Sequence, residues 1–237
     1  MPPLCCTDRP EPGLIHNPVR AITQYATADL IDGIAYGGHD PGDDPAWATT
    51  GAPSQSAYAR WCRHMCGIAC LRMALWHRDG QAPSLFELLN GARHYGAYIR
   101  QGQEIKGLIY EPFVRYVRDT HALAGEVHPD LDLLGLGELL DAGRLVMASV
   151  SKEIRRPDRA PQRRGGHLVL AIGRSEDTIV LRNPSGHTPQ ARAAVMDMEQ
   201  FEPFFSGRGI SLNLRRTVER RPAKTEAARP VASQPTT

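Results

Sequence analysis

Residues 65–75 read MCGIACLRMAL, and their spacing decides how the rest of the chain is parsed. Ile68, Leu71, Leu75 and Trp76 recur at three- and four-residue intervals, the period of one helix face, until Asp79-Gly80 interrupts the run. A helix is therefore expected to start at Cys66, directly before Gly67. Toward the C-terminus, Pro83-Ser84 opens a second helix (84–92, SLFELLNGA), a third covers about 108–121, and a fourth covers 133–142, closed by Gly143. The pattern then changes to short apolar, β-branched runs bounded by Gly, Pro and charge: 145–151 (LVMASVS), 167–173 (HLVLAIG), 178–182 (TIVLR) and 209–214 (GISLNL). Helices first and strands second predict an α+β class, with an N-terminal helical half packed on a C-terminal antiparallel sheet.

Working back toward the N-terminus, 18–23 (PVRAIT) is expected to form a short strand ending at Gln24. The Gly/Pro-rich stretch 36–56 (YGGHDPGDDPAWATTGAPSQS) is expected to be an irregular surface loop. The proline-rich segment 1–15 and the tail 216–237 lack apolar periodicity and are expected to be disordered, leaving one domain over 16–215. At 237 residues, 41% hydrophobic and 23% charged, the chain has enough apolar material for one sizeable core.

The net charge of +2 comes largely from arginine pairs such as Arg155-Arg156, Arg163-Arg164 and Arg215-Arg216. No aromatic residues interleave with them, so nucleic acid is not an expected partner. No apolar run approaches the roughly 18 residues of a membrane span, and the first residues lack a signal-peptide core. A cytoplasmic location and no membrane partner are the corresponding expectations. Five cysteines, an odd number with three of them within 62–70, fit a reduced compartment better than a disulfide framework. Cys62, Cys66 and Cys70 with His64 lack a second ligand pair at zinc spacing, so neither a metal nor a cofactor is expected, and Cys62 and Cys70 are assigned to packing.

The chemistry is concentrated in three residues. A thiol at the start of a helix meets unpaired N–H groups and the positive end of the dipole, which favour the thiolate. Gly165-Gly166-His167 opens an apolar strand, placing an imidazole at the end of the sheet. Asn183 ends the next strand and precedes Pro184. A hairpin turning through 174–177 returns to the same edge, setting the start at His167 beside the end at Asn183. A carboxamide there accepts from one ring nitrogen and leaves the other for Cys66.

The strings MCGIACLRMAL, GGHLVLAIG and VLRNPSGH resemble the catalytic segments of the bacteriocin-processing cysteine peptidases, papain-like enzymes that remove leader peptides, often after a double glycine. The resemblance spans about 18–214 and rests on Cys66, Gly67, Ala69, Leu71 and Met73, on His167, and on Asn183 before proline. It implies a papain-like peptidase fold, with Cys66 as nucleophile, His167 as base and Asn183 as orienting residue. It also implies an oxyanion donor from a glutamine just ahead of the nucleophile, where this chain has YARWCRHM and no glutamine. Gln24, at the end of the early run, is the first candidate for that role, and Gln55 is the reserve. Transporter segments, fused to many members, are missing here, so leader cleavage during export is not implied.

The expected partner is a peptide or acyl substrate, with water as acceptor in a peptidase or amidase. An amine acceptor in a cysteine-dependent acyltransferase or cyclase is an alternative, and a catalytically silent binding domain of the same fold is another. Arg60, His64, Tyr95, Tyr98 and His187 are candidate cleft residues. The loop 36–56 and the Arg-rich loop 152–164 (KEIRRPDRAPQRR) are candidate groove walls, the latter suited to an acidic substrate.

Overall fold

A computed structural model describes residues 15–215; the terminal segments 1–15 and 216–237 lie outside them, apart from Ile15. Helices α1 (Ile31–Tyr36), α2 (Gln55–Trp61), α3 (Cys66–Asp79), α4 (Leu85–His94) and α5 (Tyr110–His121) form one layer, with the hairpin β2 (Ile99–Gln101) and β3 (Glu104–Lys106) between the last two. Strands β1 (Ile15–His16), β4 (Ala124–His128), β5 (Leu145–Ser151), β6 (Gly166–Arg174), β7 (Thr178–Arg182), β8 (Ala193–Asp197) and β9 (Phe205–Asn213) form one antiparallel sheet. Its order is β4-β9-β5-β6-β7-β8, with β1 paired to β6. The architecture is α+β, an N-terminal helical half packed on a C-terminal antiparallel sheet.

Side chains alternate along the central strands and feed two cores. Leu145 and Met147 of β5 and Leu168, Leu170 and Ile172 of β6 join the core under α3, α4 and α5. Val146, Ala148 and Val150, with Val169 and Ala171, face the other way, under α6 (Leu133–Asp141) and Phe201, Phe204 and Phe205. Burial on both faces explains why these strands are continuous apolar runs rather than alternating ones. α7 (Pro189–Arg192) and α8 (Met198–Phe201) are single turns around β8.

The helix predicted at 65–75 starts at Cys66 and stops at Asp79, where Gly80 takes the left-handed conformation at φ 72°. Gly67 is required at its first turn: a Cβ there would lie 2.9 Å from Leu108 Cδ2 and 3.1 Å from Leu168 Cδ1, so its absence lets the helix approach β6. Ser84 and Glu87 complete a capping box ahead of α4.

Two expectations are corrected. The run 18–23 is not a strand: Pro18 has no N–H, and Asn17 N–H to Ile172 O at 2.9 Å is the last bond that prolongs the β1–β6 pairing. The stretch 36–56 is not an irregular loop. It folds into single 3-10 turns at Pro41–Asp43 and Trp47–Thr50 around the buried Asp44. That carboxylate accepts from Thr27 N (3.0 Å), Thr27 Oγ1 (2.6 Å), Ala46 N (3.0 Å) and Tyr58 Oη (2.8 Å). Helix α2, the hairpin β2–β3, and strands β4 and β8 had no counterpart in the expected elements.

Candidate active site

Cys66 is the first residue of α3, and the sheet comes to it rather than the reverse. Gly165 and Gly166 enter β6 at φ 79° and 94°, values that favour glycine, and this sharp entry places His167 at the start of the strand, in the cleft that Cys66 also lines. Cys66, Gly166, His167 and Leu168 line one cleft of about 500 Å3, whose far wall is Gly107, Leu108 and Tyr110.

β6 and β7 pair antiparallel, Leu170 opposite Arg182, so the chain returns to the His167 end at Asn183. His167 Nε2 lies 2.9 Å from Asn183 Oδ1, both side chains buried. Ser185 N–H donates to the same Oδ1 at 3.0 Å. A backbone N–H only donates, so the atom it meets is the carboxamide oxygen, and an oxygen facing Nε2 requires that nitrogen to carry the proton. The neutral ring is therefore the Nε2–H tautomer, with the lone pair on Nδ1. Ser185 Oγ is 3.0 Å from His167 Nε2 and accepts from Arg155 Nε at 2.6 Å, so its own hydrogen is left for Asn183 Oδ1 at 3.3 Å. Fixed donors at both ends thus set the protonation of the whole chain of groups.

Gln24 is fully buried, its N–H donating to Pro184 O at 2.9 Å and its Nε2 to Cys62 O at 2.6 Å. The residue therefore ties the turn after Asn183, through its backbone, to the turn before Cys66, through its carboxamide, whose Oε1 is buried without a partner. Gln55 is exposed and donates to the Gly42 carbonyl within the 36–56 region, which separates it from the cleft lining. Of the two glutamine candidates, the structure brings Gln24 to the site's surroundings.

The electrostatics depart from what the helix start alone implied. Burial pushes the Cys66 thiol up, and this outweighs the lowering by the backbone of Leu168 and Gly67 and by the charges of Arg155 and Lys152. His167 moves the other way: burial, reinforced by the Arg155 charge, brings it from 6.5 to about 3 against the raising effect of Asn183. Both shifts favour the neutral thiol and the neutral imidazole, so desolvation of the charged forms opposes the thiolate that the helix start alone was expected to favour.

Cys62 and Cys70 are buried in the core, and Cys62, Cys66 and Cys70 are all unpaired. Among the described residues, no group of three His, Cys, Asp or Glu is placed to hold a metal. Of the other cleft candidates, Tyr98 is buried beneath Gly107, Tyr95 packs at a tilt against Tyr116, Arg60 is exposed, and His64 sits by the β2–β3 hairpin. His187 lines a second cavity on the Asn183 side. Two participants were missed. Ser185 has a sequence signal, the Asn-Pro-Ser turn in which an Asn oxygen accepts the N–H two residues on. Arg155 has none beyond membership of the Arg-rich loop, whose first turn, Lys152–Arg155, lies against the site.

No family model matches the chain, and no curated protein matches it. Among solved structures, the peptidase domain of Streptococcus ComA, a bi-functional ABC transporter involved in a quorum-sensing pathway, is similar at a TM-score of 0.43 and 15% identity, over 62% of this chain and 90% of that one. A Bacillus anthracis chain described as a C39-like peptidase is similar at 0.46 and 15%, over 65% and 90%. Among the described residues no helix is long and apolar enough to cross a membrane.

Proposed function

We propose that the chain is a cysteine peptidase or amidase working by an acyl-enzyme in the papain manner. The observation that carries this is the fixed tautomer: Nε2–H is committed to Asn183, so the Nδ1 lone pair of His167 is the free base in the cleft that holds the Cys66 thiol. Nδ1 takes the thiol proton as sulfur attacks the carbonyl carbon. The resulting oxyanion is received by the Cys66 backbone N–H and by the second N–H of Gln24 Nε2, whose first serves Cys62. Collapse expels the amine, which carries off the proton from Nδ1, and leaves an acyl-cysteine. Water then gives its proton to Nδ1, attacks the acyl carbon and releases the acid with the thiol restored.

Peptide is the favoured substrate because the three motif blocks resemble those of the leader peptidases. The three unpaired thiols support action in a reducing compartment. The test is turnover of a library of quenched-fluorescent peptides by the wild type and by Cys66→Ala. Hydrolysis that disappears in the variant supports the assignment. Equal rates in both, or peptide consumption only when an amine acceptor is added, removes the peptidase.

A further inference from the structure

A second cavity, about 800 Å3, opens on the side of Asn183 away from Cys66. Arg155, Arg156 and Arg159 line it against a single carboxylate, Asp158, over an apolar floor that includes Leu181 and Met196. Arg156 is already engaged, with its guanidinium 2.5 Å from the Asp32 carboxylate and 3.8 Å from the centre of the Tyr36 ring. These contacts tie the loop to α1. Arg155 uses only Nε, on Ser185, so its terminal nitrogens make no side-chain bond among the described residues, and the Arg159 guanidinium makes none either. The Nδ1 of His187, in the same lining, is buried without a partner. Unpaired guanidiniums gathered in a concave, partly apolar pocket match the planar, bidentate demand of a carboxylate.

We propose that this cavity binds an acidic side chain of the peptide substrate, with its carboxylate between Arg155 and Arg159. The inference rests on the reading of Cys66, His167 and Asn183 as a hydrolytic site. It adds that the substrate is selected by charge on the Asn183 flank. Arg155 links the two functions, since the nitrogen next to its carboxylate-binding fork holds Ser185, and Ser185 holds His167.

The test is a titration of the 15N-labelled protein with N-acetylated, C-amidated tetraglutamate and with the matching tetraglutamine, followed at the Arg Nε–H and histidine ring signals. Saturable shifts at Arg155, Arg159 and His187 with tetraglutamate alone are expected, weakened about tenfold or more in Arg159→Gln. Among the described residues the Arg159 side chain makes no hydrogen bond or ion pair. Equal shifts with both peptides, shifts elsewhere, or none overturn the inference. The peptide library separates the two proposals. Turnover indifferent to Asp or Glu at every position overturns the acidic preference alone. Binding of tetraglutamate with no turnover of any peptide supports the acidic site and removes the hydrolytic reading.

Discussion

Replacing Arg155 by Gln keeps a donor of similar reach for Ser185 but deletes the charge. Both Arg155 Nε and His167 Nε2 contact Ser185 Oγ, at 2.6 and 3.0 Å, so the two nitrogens are at most about 5.6 Å apart, those two bonds end to end. At that distance a unit charge acts on an imidazolium with ~0.7 kcal/mol in water-like surroundings and ~3 kcal/mol at the effective dielectric of a partly buried pair. Its loss makes protonation of the ring easier by that amount, which raises the acid limb of kcat/KM by between about half and about two pH units. In the wild type that limb belongs near 3, because the buried ring stays neutral down to about that value. Steady-state kcat/KM against pH, with the His167 ring followed in parallel by 15N NMR, reads both quantities. Arg155→Lys, which retains the charge, should leave the limb low. Superimposable profiles for wild type and Arg155→Gln, or a wild-type limb at the ordinary histidine value, would refute the electrostatic assignment.

Asn183→Ala removes the acceptor that fixes the imidazole, and the loss of a buried hydrogen bond of about 1–3 kcal/mol should lower kcat/KM roughly ten- to a hundredfold with little change in KM; a loss confined to KM would contradict the role. Gln24→Ala should lower kcat about a hundredfold through the oxyanion, and Gln24→Glu, which keeps the volume, should fail similarly while retaining the native circular dichroism; full activity in Gln24→Glu would remove Gln24 from the mechanism. Asp44→Ala strands two N–H groups and two hydroxyls and should destabilise the fold by about 2–4 kcal/mol in urea unfolding, against little effect if the 36–56 region were loosely held. The unfolded chain takes up a proton at His167 near 6.5 and the folded chain only near 3, so stability should fall as pH drops through that window. His167→Gln should flatten the slope there.

What was legible in the sequence depended on whether local pattern and tertiary demand agreed. β5 and β7 fall where their runs predicted because short, β-branched, doubly buried segments have no helical alternative. α4 was legible through Pro83-Ser84, and Ser84 caps the helix start in mutual hydrogen bonds with Glu87. The run 18–23 has strand composition but no free edge to join, since β6 is already flanked by β5, β7 and the short β1. β4 and β8 lie at the two edges of the sheet with mixed burial, and so carry little apolar signal. The order in 36–56 depends on one residue, Asp44, whose partners lie up to 17 positions away. His167 and Asn183 were legible because a hairpin converts their spacing into adjacency. Arg155 was not, because its bond to Ser185 bridges 30 residues along a path set by tertiary packing.

The most direct measurement is the rate and location of alkylation by iodoacetamide across pH, in wild type and His167→Ala, with adducts mapped by peptide mass spectrometry. Cys66 should be modified ahead of the buried Cys62 and Cys70, at a rate that falls strongly when the imidazole is removed, because that ring is the base for the thiol. A Cys66 rate unchanged in His167→Ala would show that sulfur and imidazole do not act on one another, and the enzymatic account would not survive it.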